Sequence, residues 1–103
     1  MAAYTKMVQI MRKANPKMKI IVDLVIPLSF SNSGIQAINS AIPAWAKGLN
    51  STDSPIVIAD CTTGFPTSDL RDGVHPNIAG DRIIQSRITP LLLNYVNQSL
   101  AGV

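Results

Sequence analysis

Two short apolar runs, rich in β-branched residues, do most to constrain how this 103-residue chain can fold. The first covers residues 19–26, is broken only by Asp23 and is closed by Pro27, and the second covers residues 56–60. Nearly continuous apolar runs suit strands that are covered on both faces, as in parallel sheets. Each run therefore predicts a buried strand. Neither approaches the roughly 18 apolar residues of a membrane-spanning helix.

Segments with a helical period flank both runs. Apolar residues recur at positions 4, 7, 8 and 11, and this first helix should end before Pro16, because a residue that precedes proline disfavours helix. A second helix is predicted from positions 35, 38, 42, 45 and 49, and a third from positions 84, 88, 91, 92 and 95. We expect Pro43 to interrupt and kink the second helix, and Thr89-Pro90 to restart the third.

The predicted order is helix, strand, helix, strand, helix. Strands that alternate with helices favour right-handed crossovers and a parallel sheet, so the fold class is α/β, with two parallel strands and three helices. Two strands alone make a poor sheet, because independent stability normally takes three or more or extensive helix cover. We therefore interpret residues 1–103 as a single, incomplete domain whose apolar runs suit a larger sheet.

Composition and charge exclude several classes of protein. The chain is 47% hydrophobic and 15% charged, which is ordinary for a folded domain. The net charge of +3 comes with no broad basic face or nucleic-acid motif, so we predict no nucleic-acid partner. Arg12 and Lys13 are interpreted as closing the first helix, where cations suit the helix dipole.

The lone cysteine, Cys61, lies just after the second strand, with no CxxC partner. We expect it to be a small buried apolar residue, and we predict no metal and no cofactor. The opening residues have neither the apolar stretch nor the cleavage site of a signal peptide, so none is predicted in the chain as written.

The only histidine, His75, lies in the segment Asp72-Gly73-Val74-His75-Pro76. This segment follows a strand and precedes a helix, which is where ligands bind in open α/β sheets. A tight turn could bring the Asp72 carboxylate to the His75 Nδ1 atom, fix the tautomer and leave Nε2 free to take a proton from a hydroxyl. The alternative is a surface or structural histidine, since Asp and His at this spacing also occur by chance.

The longer string, which adds Asn77 and Gly80, is more specific. Over nearly its whole length the sequence resembles the SGNH (GDSL-type) hydrolases, particularly secreted carbohydrate esterases of the acetylxylan-esterase type. The resemblance is carried by residues 15–27, 38–46, 54–60, 63–65 and 72–77.

The resemblance implies a partial three-layer, flavodoxin-like SGNH fold. It makes His75 the general base and Asp72 its orienting acid, and it implies an acetylated carbohydrate substrate and an extracellular location. The family's GDS-type serine, and the Gly and Asn of its oxyanion hole, have no counterpart among these residues. We therefore expect the C-terminal portion of such an enzyme, without its nucleophile.

Other interpretations remain open. Ser29, Ser31 or Ser33 could replace the nucleophile, although none lies in a GDS or GxSxG motif. Asp23 is interpreted as a structural rather than a catalytic aspartate. The chain could instead be a non-catalytic module that binds a glycan or a partner chain, either a complementary N-terminal half or a second copy. It could also be an unrelated small α/β domain. The glycosylation sequons at Asn50 and Asn97 fit a secreted protein.

Overall fold

The computed structural model of the protein describes residues 1–101, so the last two residues of the predicted 1–103 domain lie outside the described part. The predicted order of elements is confirmed, with one additional 3-10 turn. Within residues 1–101 the elements are α1 (Ala2–Ala14), β1 (Ile20–Asp23), α2 (Ser33–Leu49), β2 (Ile56–Ala59), the 3-10 turn (Thr67–Asp69) and α3 (Ile78–Ala101).

The two strands form a parallel sheet, as predicted. Ile20 of β1 lies opposite Ile56 of β2, and this register continues to the pair formed by Asp23 and Ala59. β1 is shorter than the predicted run, and beyond it an α2 side chain rather than a strand bonds the backbone of Val25. The Val25 N–H donates to Asn39 Oδ1 at 2.7 Å, and Asn39 Nδ2 donates to the Val25 carbonyl at 2.8 Å.

The sheet separates two layers of helix. On one face, Ile20 and Ile56 are buried against Val8 of α1 and Ala46 of α2. α3 packs on the other face, where Tyr95 is buried and its hydroxyl donates to the carbonyl of Ile20 at 3.1 Å. This arrangement confirms the predicted partial three-layer α/β fold.

The expected interruption at Pro43 and restart at Pro90 are wrong, while the expected kink at Pro43 stays a prediction. α2 continues through Pro43 and α3 continues through Pro90, with neither an interruption nor a restart. Both prolines lie on the exposed side of their helix. There, water can bond the carbonyl that loses its N–H partner, which lowers the cost of the missing hydrogen bond.

Arg12 does more than close α1. It lies in the last turn, as expected, and its guanidinium donates to Ser54 Oγ at 2.8 Å and to the carbonyls of Ser54 and Leu49 at 2.7 Å. Ser54 is only 2% exposed and in turn donates to the carbonyl of Met18 at 2.6 Å. The C-terminal end of α1 is therefore tied to the loop that leads into β2.

The helical periods predicted more buried residues than the structure has. Met7 of α1 and Leu92 of α3 were predicted on inward faces, but they are 51% exposed. Cys61 is buried as expected, and burial raises the pKa of its thiol. Among residues 1–101, no helix combines the length and apolarity that crossing a bilayer requires.

Candidate active site

The residues predicted to carry chemistry lie at the tip of a short antiparallel loop that follows β2. At its base Leu70 pairs with Pro76 across the loop. The Arg71 N–H donates to the His75 carbonyl at 2.8 Å, and the Asn77 N–H donates to the Asp69 carbonyl at 2.8 Å. These bonds place residues 72–75 in a closed turn immediately before α3.

The Asp72 carboxylate organises this turn. Its Oδ1 atom accepts the N–H groups of Val74 at 3.0 Å and His75 at 2.6 Å, as in an Asx turn. Its Oδ2 atom lies 2.6 Å from His75 Nδ1. A neutral imidazole in this contact carries its proton on Nδ1, which leaves Nε2 as an acceptor. The structure therefore brings the two predicted residues together in the orientation that a general base requires.

The electrostatics of the pair keep the carboxylate charged. The His75 N–H, followed by the His75 ring and the Val74 N–H, holds the pKa of Asp72 well below its ordinary value of 3.8. The side chains are open to solvent, at 58% for His75 and 49% for Asp72. A cleft of about 510 Å³ lies beside His75, lined by Arg71, Asn77 and Asp81 among others. The ring is thus accessible to a reacting group.

The loop that follows β1 also contacts this turn. Gly73 has a φ of +82°, and its carbonyl accepts the Ser29 N–H at 3.0 Å. A Cβ atom at this position would lie 2.5 Å from Ser29 Oγ. Both the positive φ and the close approach favour glycine. The sequence showed the glycine but gave no sign of its contact with Ser29, because the two residues belong to loops far apart in the chain.

The start of α3 is packed equally closely. Asn77 Oδ1 accepts the Gly80 N–H at 2.9 Å, which caps the helix. A Cβ atom on Gly80 would lie 2.6 Å from the Asp69 carbonyl oxygen and 2.9 Å from the Pro76 Cβ atom. Asn77 and Gly80 of the longer motif therefore have a structural role, because they hold the start of α3 against the turn that carries His75.

The loops that follow β1 and β2 lie at one edge of the sheet, since the strands are parallel and Ser29 contacts Gly73. This is the carboxyl edge, where open α/β sheets bind ligands. Arg87 of α3 steadies the loop after β2 by donating to the carbonyls of Asp60 at 2.7 Å and Thr63 at 2.9 Å. Sequence reasoning missed this role for Arg87.

The structure does not place the alternative serines or Asp23 in hydrogen-bond contact with the Asp72–His75 pair. Within residues 1–101, the hydrogen-bond partner of the His75 ring is Asp72 and not a serine. Ser29 lies beside Gly73, Ser31 has a φ of +53°, and Ser33 begins α2. Asp23 ends β1, and desolvation raises its pKa. Residues 1–101 contain no group of three or more His, Cys, Asp or Glu side chains that could hold a metal ion.

Comparison with solved structures places this arrangement in a known class. A carbohydrate esterase family 3 structure from Talaromyces cellulolyticus matches with a TM-score of 0.92 and 46% identity, over 94% of this chain and 48% of that one. An acetyl esterase, a serine-to-alanine mutant crystallised with an acetate ion, matches with a TM-score of 0.93 and 46% identity, over 95% of this chain and 49% of that one. No protein-family model matches the chain, and a search of curated proteins gave no match.

An α/β sheet with an Asp–His pair at its carboxyl edge, together with this likeness, defines the class that the chain resembles: its structural neighbours are SGNH hydrolases. Within that class it is similar to carbohydrate esterase family 3 structures. It spans about half the length of each structure that it matches.

Proposed function

We propose that this chain is the C-terminal, acid–base portion of a carboxylic-ester hydrolase. The observation that carries the proposal is the Asp72–His75 contact of 2.6 Å on an exposed turn. Residues 1–103 contain no GDS-type serine motif. We infer that the nucleophile and the oxyanion donors belong to the half of the fold that this chain does not span.

The two residues have separate roles in the proposed reaction. His75 Nε2 takes the proton of the serine hydroxyl as its oxygen attacks the ester carbonyl. The resulting imidazolium then donates that proton to the leaving alcohol, and the acyl group stays on the serine until water, activated by the same ring, releases it. Asp72 holds the ring through Nδ1 and stabilises the imidazolium, while its own depressed pKa keeps it ionised.

The substrate class follows from the similar structures. One is described as a carbohydrate esterase and the other as an acetyl esterase with acetate bound. This supports an acetylated carbohydrate as the substrate and an extracellular site of action. The sequons at Asn50 and Asn97 are compatible with secretion.

A second candidate is a non-catalytic module that binds a partner chain. The open edge of β1 favours it, because an unpaired strand edge is a template for another strand. Binding and catalysis are separable by experiment, since the edge and the Asp72–His75 pair lie in different parts of the molecule.

A chimera tests the catalytic proposal. This chain replaces the matching half of the Talaromyces cellulolyticus esterase, and turnover of an acetylated oligosaccharide is measured. We expect His75→Ala to lower kcat by about 10⁴-fold or more, as for other triad bases. Asn94→Ala, an exposed change on α3, is the matched control and should leave kcat within about twofold. A folded chimera that is inactive, or one that tolerates His75→Ala, would contradict the proposal.

A further inference from the structure

The loop between β1 and α2 is closed by one side chain. Asn32 Oδ1 accepts the Leu28 N–H at 2.7 Å, and Asn32 Nδ2 donates to the Leu28 carbonyl at 2.9 Å. Ser31, inside this closed loop, has a φ of +53°, a conformation that residues other than glycine rarely adopt. Backbone outliers of this kind cluster at functional sites, where the surrounding structure holds them in place. Residues 29–31 are therefore held in one conformation by the bonds around them.

Phe30 lies at the tip of this loop and is 58% exposed. The residue before it, Ser29, donates its N–H to the Gly73 carbonyl at 3.0 Å. The Phe30 Cε1 atom lies 3.8 Å from the position that a Cβ atom on Gly73 would take. One edge of the phenyl ring thus contacts the turn that carries His75, while residues 1–101 leave more than half of Phe30 uncovered.

Other side chains around the turn indicate the kind of ligand that suits it. Val74 precedes His75 and is exposed, and Ile78, at the start of α3, is largely exposed and lines the cleft beside His75. The charged residues of this cleft, Arg71 and Asp81, have opposite signs. Exposed apolar side chains around a few polar groups favour a ligand with both apolar and polar faces. The surroundings of the imidazole therefore favour a neutral, amphipathic ligand.

Phe30 is within reach of a ligand that occupies the His75 cleft. Gly73 and His75 are two residues apart, so their Cα atoms are separated by at most about 7 Å. An acetyl group is too short to extend from the imidazole to the phenyl ring, whereas linked sugar rings are long enough. A contact with Phe30 would therefore involve the sugar and not the acyl group.

We propose that Phe30 is a specificity-determining residue that binds a sugar ring of the carbohydrate substrate by stacking. The C–H groups on one face of a pyranose ring form an apolar surface, and the hydroxyl groups lie around its rim. Such a ring can lie flat on a phenyl ring and keep its hydroxyls in water, so apolar surface is buried without loss of hydrogen bonds. The inference rests on the proposed function, because the nearby His75 identifies the occupant as the substrate.

The first measurement is of binding without catalysis. Xylotetraose, which has four linked pyranose rings, is titrated into the full chain, and the aromatic proton signals are followed by NMR. The chain has two phenylalanines, and Phe65, only 6% exposed, is the reference within the same molecule. We expect the ring signals of Phe30 to shift with sugar concentration while those of Phe65 stay in place. No shift at Phe30, or equal shifts at both rings, overturns the inference.

The second measurement is of specificity in the chimera with the other half of the Talaromyces cellulolyticus esterase. The value of kcat/KM is determined for acetylated xylotetraose and for ethyl acetate, a small ester without a sugar ring. Phe30→Ala should lower the ratio of the first value to the second by about tenfold, through the KM for the oligosaccharide. Burying one face of an aromatic ring contributes roughly that factor.

Two control variants accompany Phe30→Ala. Phe30→Tyr keeps an aromatic face and should hold the ratio within about threefold of the wild-type value. Leu93→Ala removes another exposed apolar side chain, on α3 and outside the cleft beside His75, and should leave the ratio within about twofold. Circular dichroism shows whether each variant is folded.

The outcomes separate this inference from the proposed function. A chimera that depends on His75 but keeps its ratio after Phe30→Ala contradicts the stacking contact and leaves the proposed function intact. A chimera that tolerates His75→Ala contradicts the proposed function, and the NMR titration then decides whether Phe30 binds a sugar. If Phe30→Ala lowers the turnover of both esters equally, Phe30 packs against protein rather than sugar, and the inference is wrong.

Discussion

The turn that holds His75 and the edge of β1 differ in how much of their structure the chain itself supplies. In the turn, Asp72 satisfies two N–H groups and the imidazole, and Ser29 closes the loop below it. At the edge, the backbone groups of Ile21 and Asp23 have no partner within residues 1–101 and lie between two apolar grooves. The Asp72–His75 contact therefore forms beside a sheet of only two strands within residues 1–101.

This difference distinguishes the positioning of the acid–base pair from the chemistry that the pair would perform. The bonds that Asp72 makes within the turn join close neighbours in sequence, so they form without a large core. A serine nucleophile and its oxyanion donors need elements from elsewhere in the fold. On the proposed function, the chain orientates the acid–base pair by itself, and the serine and the oxyanion donors are supplied separately.

The largest effect is expected from Asp72→Asn in the active chimera. An amide keeps an acceptor for the N–H groups of the turn but loses the charge that stabilises the imidazolium. We expect kcat to fall by about 10²–10⁴-fold with little change in KM. Asp53→Asn, in the exposed loop before β2, is the control. An Asp72→Asn chimera with full kcat would show that the pair is structural.

Gly80→Ala tests the packing behind His75. The added Cβ atom meets the Asp69 carbonyl oxygen at 2.6 Å, a backbone atom that cannot rotate away. We expect a loss of about 1–3 kcal/mol in the free energy of unfolding, measured by urea denaturation. Gly48→Ala in α2 meets nothing within 4 Å, so it should be neutral or stabilise by up to about 1 kcal/mol. Equal effects at the two positions would exclude close packing as the reason for Gly80.

Gly73→Ala and Gly64→Ala form a matched pair at the turn. Both residues have a positive φ, +82° and +73°, so both changes should cost about 1–2 kcal/mol. Gly73→Ala carries an extra cost, because its Cβ atom would lie 2.5 Å from Ser29 Oγ, whereas Gly64 has nothing within 4 Å. Ser29→Gly should remove that extra cost. If it does not, the Ser29 hydroxyl is not what restricts this position.

The smallest expected effect is a difference in pKa between two carboxyl groups, that of Asp72 in the turn and that of Asp23 at the β1 edge. Hydrogen bonds lower the pKa of Asp72, and desolvation raises that of Asp23. As pH falls from 7, the carboxyl ¹³C signal of Asp23 should move first. Because the folded pKa of Asp72 is depressed, its contribution to stability is present above about 3.8 and lost only as pH falls through the folded value. The reverse order of titration would contradict the geometry of the turn.

Sequence patterns predicted what depends on close neighbours. The β-branched runs gave both strands, the helical periods gave all three helices, and Asp72 to His75 gave the contact of the pair. The Asn39 contact with Val25, the Ser29 support of Gly73 and the Arg12 bonds to Ser54 join segments far apart in the chain, and no periodicity encodes them. Met7 and Leu92 were assigned to a core because their pattern suits a larger sheet than residues 1–101 form.

The most direct test of the account is the His75-dependent rate of acetyl-ester hydrolysis by the isolated chain. Turnover of an activated acetyl ester is measured for the wild type and for His75→Ala, first alone and then with the complementary half of the Talaromyces cellulolyticus esterase. Alone, the difference should not exceed the rate of free imidazole at the same concentration. With the complementary half it should rise by at least about 10³-fold, since triad and oxyanion donors then act together. Efficient His75-dependent turnover by the chain alone would contradict the account.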